Sequence, residues 1–391
     1  MIILLLAQLH RAHSVDGPSA DKARKWKRGG RAWDNVSDQG AAELAALGLT
    51  RLLVHAVADS TLQKYIPAVR RFLLHLRRQR HDFRTVSELD WRLAQYVDWL
   101  CYSARAGFAE GSACFSGLTS MWPEVKDKLP LAARSLIAWQ RLAIHGEGGP
   151  IPLQAIIVIA IRMIELGHPE AALATLLAED GYLRESDWSM IQVTDIVTEG
   201  QPQTPRVALI LGAQERGDTT KTGDNQGIVV ETLFVCLWVA QLAKRLRPSQ
   251  SLIGLKPEAY RRIWWKVLDD INARSLGPPH SLRHSRPAAQ CRDRSRTLEE
   301  IRRRGRWISL KSVQRYTKDH LLLKALAALP PGLRDRGDRY LQQPAAAFGA
   351  AWRRMEPAAQ QQPAAVALQK ACKLFGSASY DAGRASESKG V

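Results

Sequence analysis

The sequence predicts a mainly α fold with one small β-sheet or hairpin, divided into two helical bodies. Three observations carry that reading. From about residue 58 onward, apolar residues recur at three- and four-residue steps, the period of a helix with one buried face. Only two short runs have strand character, "RVALILG" at 206–212 and "GIVVE" at 227–231. The Gly/Thr/Asp stretch "AQERGDTTKTGDNQ" lies between them, as the loop of a hairpin does.

Taken in order, the chain opens with "MIILLLAQL". Its apolar run is short, with no basic start and no small-residue cleavage site, so it reads as a packed helix or the ragged start of a gene model. Residues 1–57 read as a mostly disordered basic arm, carrying "KARKWKRGGR" at 22–31. Leu62, Tyr65, Ile66, Val69, Phe72, Leu73 and Leu76 then mark one helix face, with Pro67 inside it as a kink or a sign of a late start. Arg70, Arg71, Arg77, Arg78 and Arg80 line the other face. Further helices are expected over 89–104, 110–121 and 131–145. Together these make a helical unit over 58–147, apolar on one side and basic on another, suited to a duplex backbone.

A second unit is expected over 148–325. Helices over 151–166 and 169–180 precede the two strands. Helices over 231–246, 257–273, 280–290, 297–304 and 309–316 follow them. From 326 to 391 the chain turns Ala-, Gln- and Pro-rich and reads as a low-complexity, mobile tail with a helix over 364–375.

With 56 Lys+Arg against 38 Asp+Glu in 391 residues, the formal charge is +18, which favours a polyanionic partner. The five cysteines are scattered and form no CxxC pair, which fits a reducing compartment rather than a disulfide or zinc framework. No apolar run reaches the roughly 18 residues of a membrane span. "GDTTKTG" fails the P-loop spacing, and HExxH, GxSxG and a cysteine–histidine zinc pattern are all missing from the sequence. Carboxylates do not cluster as two-metal hydrolysis requires. No cofactor and no metal is expected.

What remains is a set of residue types that handle phosphate. "PPHSLRHS" puts His280 and Arg283 three apart behind a proline-marked helix start. "GYLRESDW" sets Arg184 beside carboxylates that can orient it, and Lys221 lies at the hairpin tip. Singly, each suits a surface or structural role. Jointly, two arginines can hold the non-bridging oxygens of a phosphodiester, a lysine can protonate the leaving oxygen, and a histidine can accept a proton. The nucleophile is then a hydroxyl. Tyr316 in "GRWISLKSVQRYTK" is available, within a segment from 291 to 318 that holds ten cations against three acids.

The order Arg184, Lys221, His280-x-x-Arg283, Trp307, Tyr316 resembles the tyrosine recombinases of the phage-integrase type. "ERGDTTKTG" and "GRWISLKSVQRYTK" resemble in particular the recombinase-like proteins of eukaryotic mobile elements. The resemblance covers roughly 58–325. It implies an all-helical core-binding domain and a mixed α+β catalytic domain. Trp307 would take a place that is His in most members, donating its indole N–H and packing the tyrosine. The implied reaction uses neither metal nor ATP: Tyr316 attacks a phosphodiester of double-stranded DNA, forming a 3′-phosphotyrosyl bond and freeing a 5′-hydroxyl. It also implies a homo-tetramer on DNA and, in a eukaryotic host, a nuclear protein. The alternatives are a type IB topoisomerase-like enzyme and a catalytically inactive DNA-binding relic. An RNA-binding module fits least, because no aromatic-rich sheet motif is present.

Overall fold

The computed structural model describes residues 59–142, 148–213 and 226–387. The arm over 1–57 and the loop residue Lys221 lie outside them. The chain divides into two compact units, Met1–Gly146 and Glu147–Val391.

The described part of the first unit is four helices, α1 (Asp59–Arg78), α2 (Val86–Tyr102), α3 (Phe108–Met121) and α4 (Pro130–Leu142). Val69, Phe72, Leu73 and Leu76 of α1 pack with Leu89, Leu93 and Val97 of α2, Leu118 of α3 and Trp139 of α4. The helix runs on through Pro67, so no late start occurs there. Thr85 caps α2, its hydroxyl accepting from the Glu88 N–H at 3.2 Å. Buried Asp90 reaches from α2 to the start of α4 and accepts from the N–H groups of Leu131 and Ala132, both at 2.9 Å. That satisfies two orphan donors and sets the α2–α4 angle. The five arginines predicted for the polar face of α1 and its end are all exposed, and Arg71 is bound to Glu110 of α3.

The second unit begins with α5 (Leu153–Glu165) and α6 (Pro169–Asp180), both almost wholly buried. One helical turn, α7 (Glu185–Ser189), leads to a three-stranded antiparallel sheet of β1 (Ile196–Glu199), β2 (Arg206–Leu211) and β3 (Gln226–Val230), in that order. Leu209 pairs with Ile196 on one side and Ile228 on the other. Val207, Leu209, Leu211, Ile228 and Val230 turn inward to the core. β1 was not expected: "IVTE" is too short and too exposed to show period-two alternation.

Then follow α8 (Leu233–Ala243), α9 (Pro257–Asp270), α10 (Leu282–Arg292), α11 (Leu298–Gly305), the single turn α12 (Leu310–Val313) and α13 (Asp319–Ala327). Two expectations change here. His280 lies in a 3-10 turn, Pro279–Ser281, ahead of α10 rather than within a helix. The helix expected over 309–316 is one turn only, so Tyr316 sits in the turn that follows it.

The mobile tail expected from 326 is instead helical and packed. α14 (Pro331–Gln342), α15 (Pro344–Arg354), α16 (Pro357–Gln360) and α17 (Pro363–Glu387) continue the unit. Phe348 stacks on Phe234 at 4.6 Å, and Ala364 accepts the Trp238 indole N–H at 2.9 Å. Gly337 lets α14 approach α5 so closely that a Cβ there would meet the Gln154 carbonyl at 2.5 Å. Helix α8 is apolar all round, and these small residues let the C-terminal helices cover its outer side.

Candidate active site around a buried arginine cluster

The second unit gathers Arg184, His280, Arg283, Trp307 and Tyr316 within one locality; Lys221 is outside the described residues. The site is built at four local breaks in regular structure. Gly181 ends α6, and Tyr182 follows in the left-handed region at φ 51°. Arg184 is the extended cap residue of α7, its N–H donating to Asp187 Oδ2 at 3.0 Å. The Pro279 turn presents His280 to solvent and feeds Arg283 inward on the first turn of α10. Helix α11, begun by a Thr297–Glu300 capping box, stops at Arg306 with φ 56°.

Arg283 is fully buried, 0% exposed. Its Nη2 donates to the Gly305 carbonyl at 2.6 Å, its Nη1 donates to the Tyr182 carbonyl, and its guanidinium lies 4.8 Å over the Trp307 ring. The Arg306 Nη2 shares the Tyr182 carbonyl at 3.4 Å and meets Asp187 Oδ2 at 2.8 Å. Asp187 Oδ2 is also 3.9 Å from Nη1 of both Arg184 and Arg283. Three guanidinium groups thus face one buried carboxylate. Burial, with repulsion from Arg184 and Arg306, pulls Arg283 down to about 9 despite Asp187. Burial likewise lowers Arg306 to about 10, with Arg184 and Arg304 adding to it and Asp187 opposing it. Several donors in the cluster are buried without a hydrogen-bond partner: Arg184 Nη1, Arg283 Nε, Arg306 Nε and Nη1, and Trp307 Nε1.

Tyr316 packs against two rings. Its centroid is 4.5 Å from Trp307 and 4.4 Å from His284, with His280 further out at 6.4 Å. The Arg283 guanidinium lies 5.7 Å from it. Trp307 also stacks on Tyr182, and a Cβ on Gly305 would fall 1.9 Å from the Trp307 ring, so only glycine admits the indole there. Burial and the neighbouring His280 push His284 down to about 4.

Most of the arginine-rich segment is internally engaged rather than free for a ligand. Arg292 pairs with Asp293, Arg302 and Arg303 with Glu299, and Arg296 with Glu231. Arg304 joins Asp180 at 2.9 Å and Glu231 at 3.0 Å. Asp180 accepts from the Thr232 N–H at 2.8 Å and Arg286 reaches Glu179 at 3.1 Å, so this network ties α6, α8, α10 and α11 together. A count of cations along the sequence therefore overstates the charge offered outward.

Sequence reasoning passed over Asp187, Arg306, Tyr182 and His284. Of the two acids after Arg184, Glu185 turns away to Arg261 at 2.7 Å and only Asp187 faces the cluster. His284 was legible only as the residue after Arg283. Arg306 entered the reading only as bulk charge.

No protein-family model matches the sequence, and no curated protein matches it. Among solved structures the chain is similar to the XerA recombinase, at 12% identity over 74% of this chain and 94% of that one, with a TM-score of 0.33. It is also similar to the XerH site-specific recombinase bound to its difH substrate in a pre-cleavage complex, at 12% identity over 84% of this chain and 95% of that one, with a TM-score of 0.46. At these values the functional reading rests on the side chains rather than on either likeness. No helix among the described residues is long and apolar enough to cross a membrane.

Proposed function

We propose that the chain is a DNA strand transferase of the tyrosine recombinase type. The observation that carries this is one juxtaposition: a tyrosine, Tyr316, beside a cluster of three guanidinium groups that, among the described residues, share a single carboxylate. A buried excess of positive charge is costly unless an anion completes it. A DNA phosphodiester would supply that anion and bring its phosphorus to the Tyr316 hydroxyl.

In this reading Tyr316 Oη attacks phosphorus, the P–O5′ bond breaks, and the 3′-phosphate remains on the tyrosine. His280 accepts the phenol proton. Lys221, assigned by the sequence resemblance, returns a proton to the leaving 5′-oxygen. Attack by a 5′-hydroxyl of a partner strand reverses these steps and reseals the DNA. Arg184 and Arg283 stabilise the charge gathered on the equatorial oxygens. The bond energy stays in the protein–DNA link, so no nucleotide is consumed. The first unit, with its exposed arginines, would bind the duplex as a core-binding domain, and strand exchange would need a homo-oligomer.

The test is to isolate the full chain from expressing cells under denaturing conditions and sequence the DNA still attached. Wild type retaining DNA that Tyr316→Phe loses supports the reading and identifies the target. Equal retention in both, or none, rejects it. One observation favours a second reading, a DNA-binding relic: both terminal nitrogens of Arg283 already donate to backbone carbonyls.

A further inference from the structure

We infer that Arg306 is a direct ligand of the scissile phosphate, a third guanidinium that the ordered set of six positions does not include. The inference rests on the strand-transfer reading and deepens it.

Arg306 differs from the other left-handed arginines, Arg80, Arg105 and Arg294, in having a buried side chain where they are exposed. It closes α11 at φ 56° and ψ 40°, the left-handed region where glycine is free of strain and a long side chain is not. A surface arginine at such a helix end would point to water. This one is directed inward, its side chain 6% exposed. Strain retained at a buried cation is a mark of function when the surroundings hold it in place, and here they do. Tyr182, the other strained residue of the site, offers its carbonyl to both Arg306 and Arg283.

The hydrogen bonding is incomplete in a way that points to an anion. Nη2 of Arg306 is taken by Asp187, while Nε and Nη1 are buried and unpartnered. Nε shares its edge of the guanidinium with the occupied Nη2, so Nη1 is the open terminal donor, the group that can take an oxygen of a phosphate. Arg184 Nη1 likewise makes no hydrogen bond, and Arg184 is the more open of the two at 18%. Arg283 has both Nη groups on carbonyls and only Nε left. The open terminal donors therefore belong to Arg306 and Arg184, and Arg283 contributes mainly its charge. A phosphate monoanion or diester entering beside Arg184 would complete these donors and offset the excess charge around Asp187. Asp187 Oδ2 is the oxygen that the three guanidinium groups share, and Oδ1 is left without a hydrogen bond.

The experiment titrates inorganic phosphate against the full-length protein and reads thermal unfolding, for wild type, Arg306→Gly, Arg306→Lys and the exposed control Arg303→Ala. Arg306→Gly relaxes the left-handed residue and removes one of three crowded cations, so its melting temperature without phosphate should equal or exceed that of the wild type. Its phosphate affinity should fall by about 10- to 100-fold, the worth of a charged hydrogen-bond pair. Arg306→Lys should restore part of the affinity, and Arg303→Ala none of the loss. A lower melting temperature with unchanged phosphate affinity would make Arg306 a structural residue and overturn the inference. So would wild-type protein that forms the covalent DNA adduct yet shows no phosphate stabilisation; strand transfer would then stand without Arg306. Phosphate binding that depends on Arg306, with no Tyr316-dependent adduct, would instead retain the anion site and reject the strand-transfer reading.

Discussion

The His284 imidazole lies over the Tyr316 ring, the two centroids 4.4 Å apart and the planes inclined by 31°. Trp307 packs on the same ring at 4.5 Å, so the proposed nucleophile is fixed by two rings rather than by a helix. His284 is pushed down to about 4 by burial and by His280, with Arg283 and Lys318 adding to it and the Arg315 backbone opposing it. The folded chain then keeps this imidazole neutral while the unfolded chain takes up a proton. Stability is full above about 6.5 and falls as the pH drops from there toward 4, by an amount on the order of 3 kcal/mol. Urea titrations at pH 7.5, 5.5 and 4.5 should show the loss in wild type and a flatter profile in His284→Gln.

Asp187 should be the least replaceable residue of the site. It is 2% exposed and is the carboxylate shared by Arg184, Arg283 and Arg306. Asp187→Asn leaves those charges buried without a counterion, for which we expect a cost of about 3–5 kcal/mol. Adding Arg306→Gly to it should recover part of that loss in denaturant unfolding, because it removes one of the uncompensated charges. Strict additivity of the two substitutions would contradict the shared contact.

Gly305 controls the position of Trp307. In Gly305→Ala the new Cβ would fall within 1.9 Å of the indole, which cannot give way without leaving Tyr182 and Tyr316. We expect about 1–3 kcal/mol of destabilisation from this overpacking. Tryptophan fluorescence should also become more solvent-exposed. Unchanged stability and spectrum would mean that the indole is not confined as described.

Phe348 tests the C-terminal helices. It is 1% exposed and stacked on Phe234, so Phe348→Ala should cost about 3–5 kcal/mol. In a mobile tail the same change would be silent.

The helices of both units were legible in the sequence because their apolar residues repeat at the helical period: α6 spans 169–180 as expected, and most others differ at their ends by a few residues. The two strands of the hairpin were legible from flanking turn residues, whereas β1 was not, being four residues long and mostly exposed. The C-terminal helices were misread for a related reason. Alanine-, glutamine- and proline-rich composition looks unstructured in isolation, yet small residues are what permit α14 and α17 to approach α5 and α8 closely.

The sequence by itself determined the helical class, the basic character and the ordered set of residue types from Arg184 to Tyr316. Those follow from local periodicity and chemical identity, which need no partner to be read. Only the tertiary structure decided which charges remain uncompensated. Most arginines between 291 and 306 meet acids brought from α6, α11 and the start of α8, whereas Arg306 shares a single carboxylate with Arg184 and Arg283. Charge balance in a buried site depends on distances of a few ångströms between residues more than a hundred positions apart, and no local pattern records that.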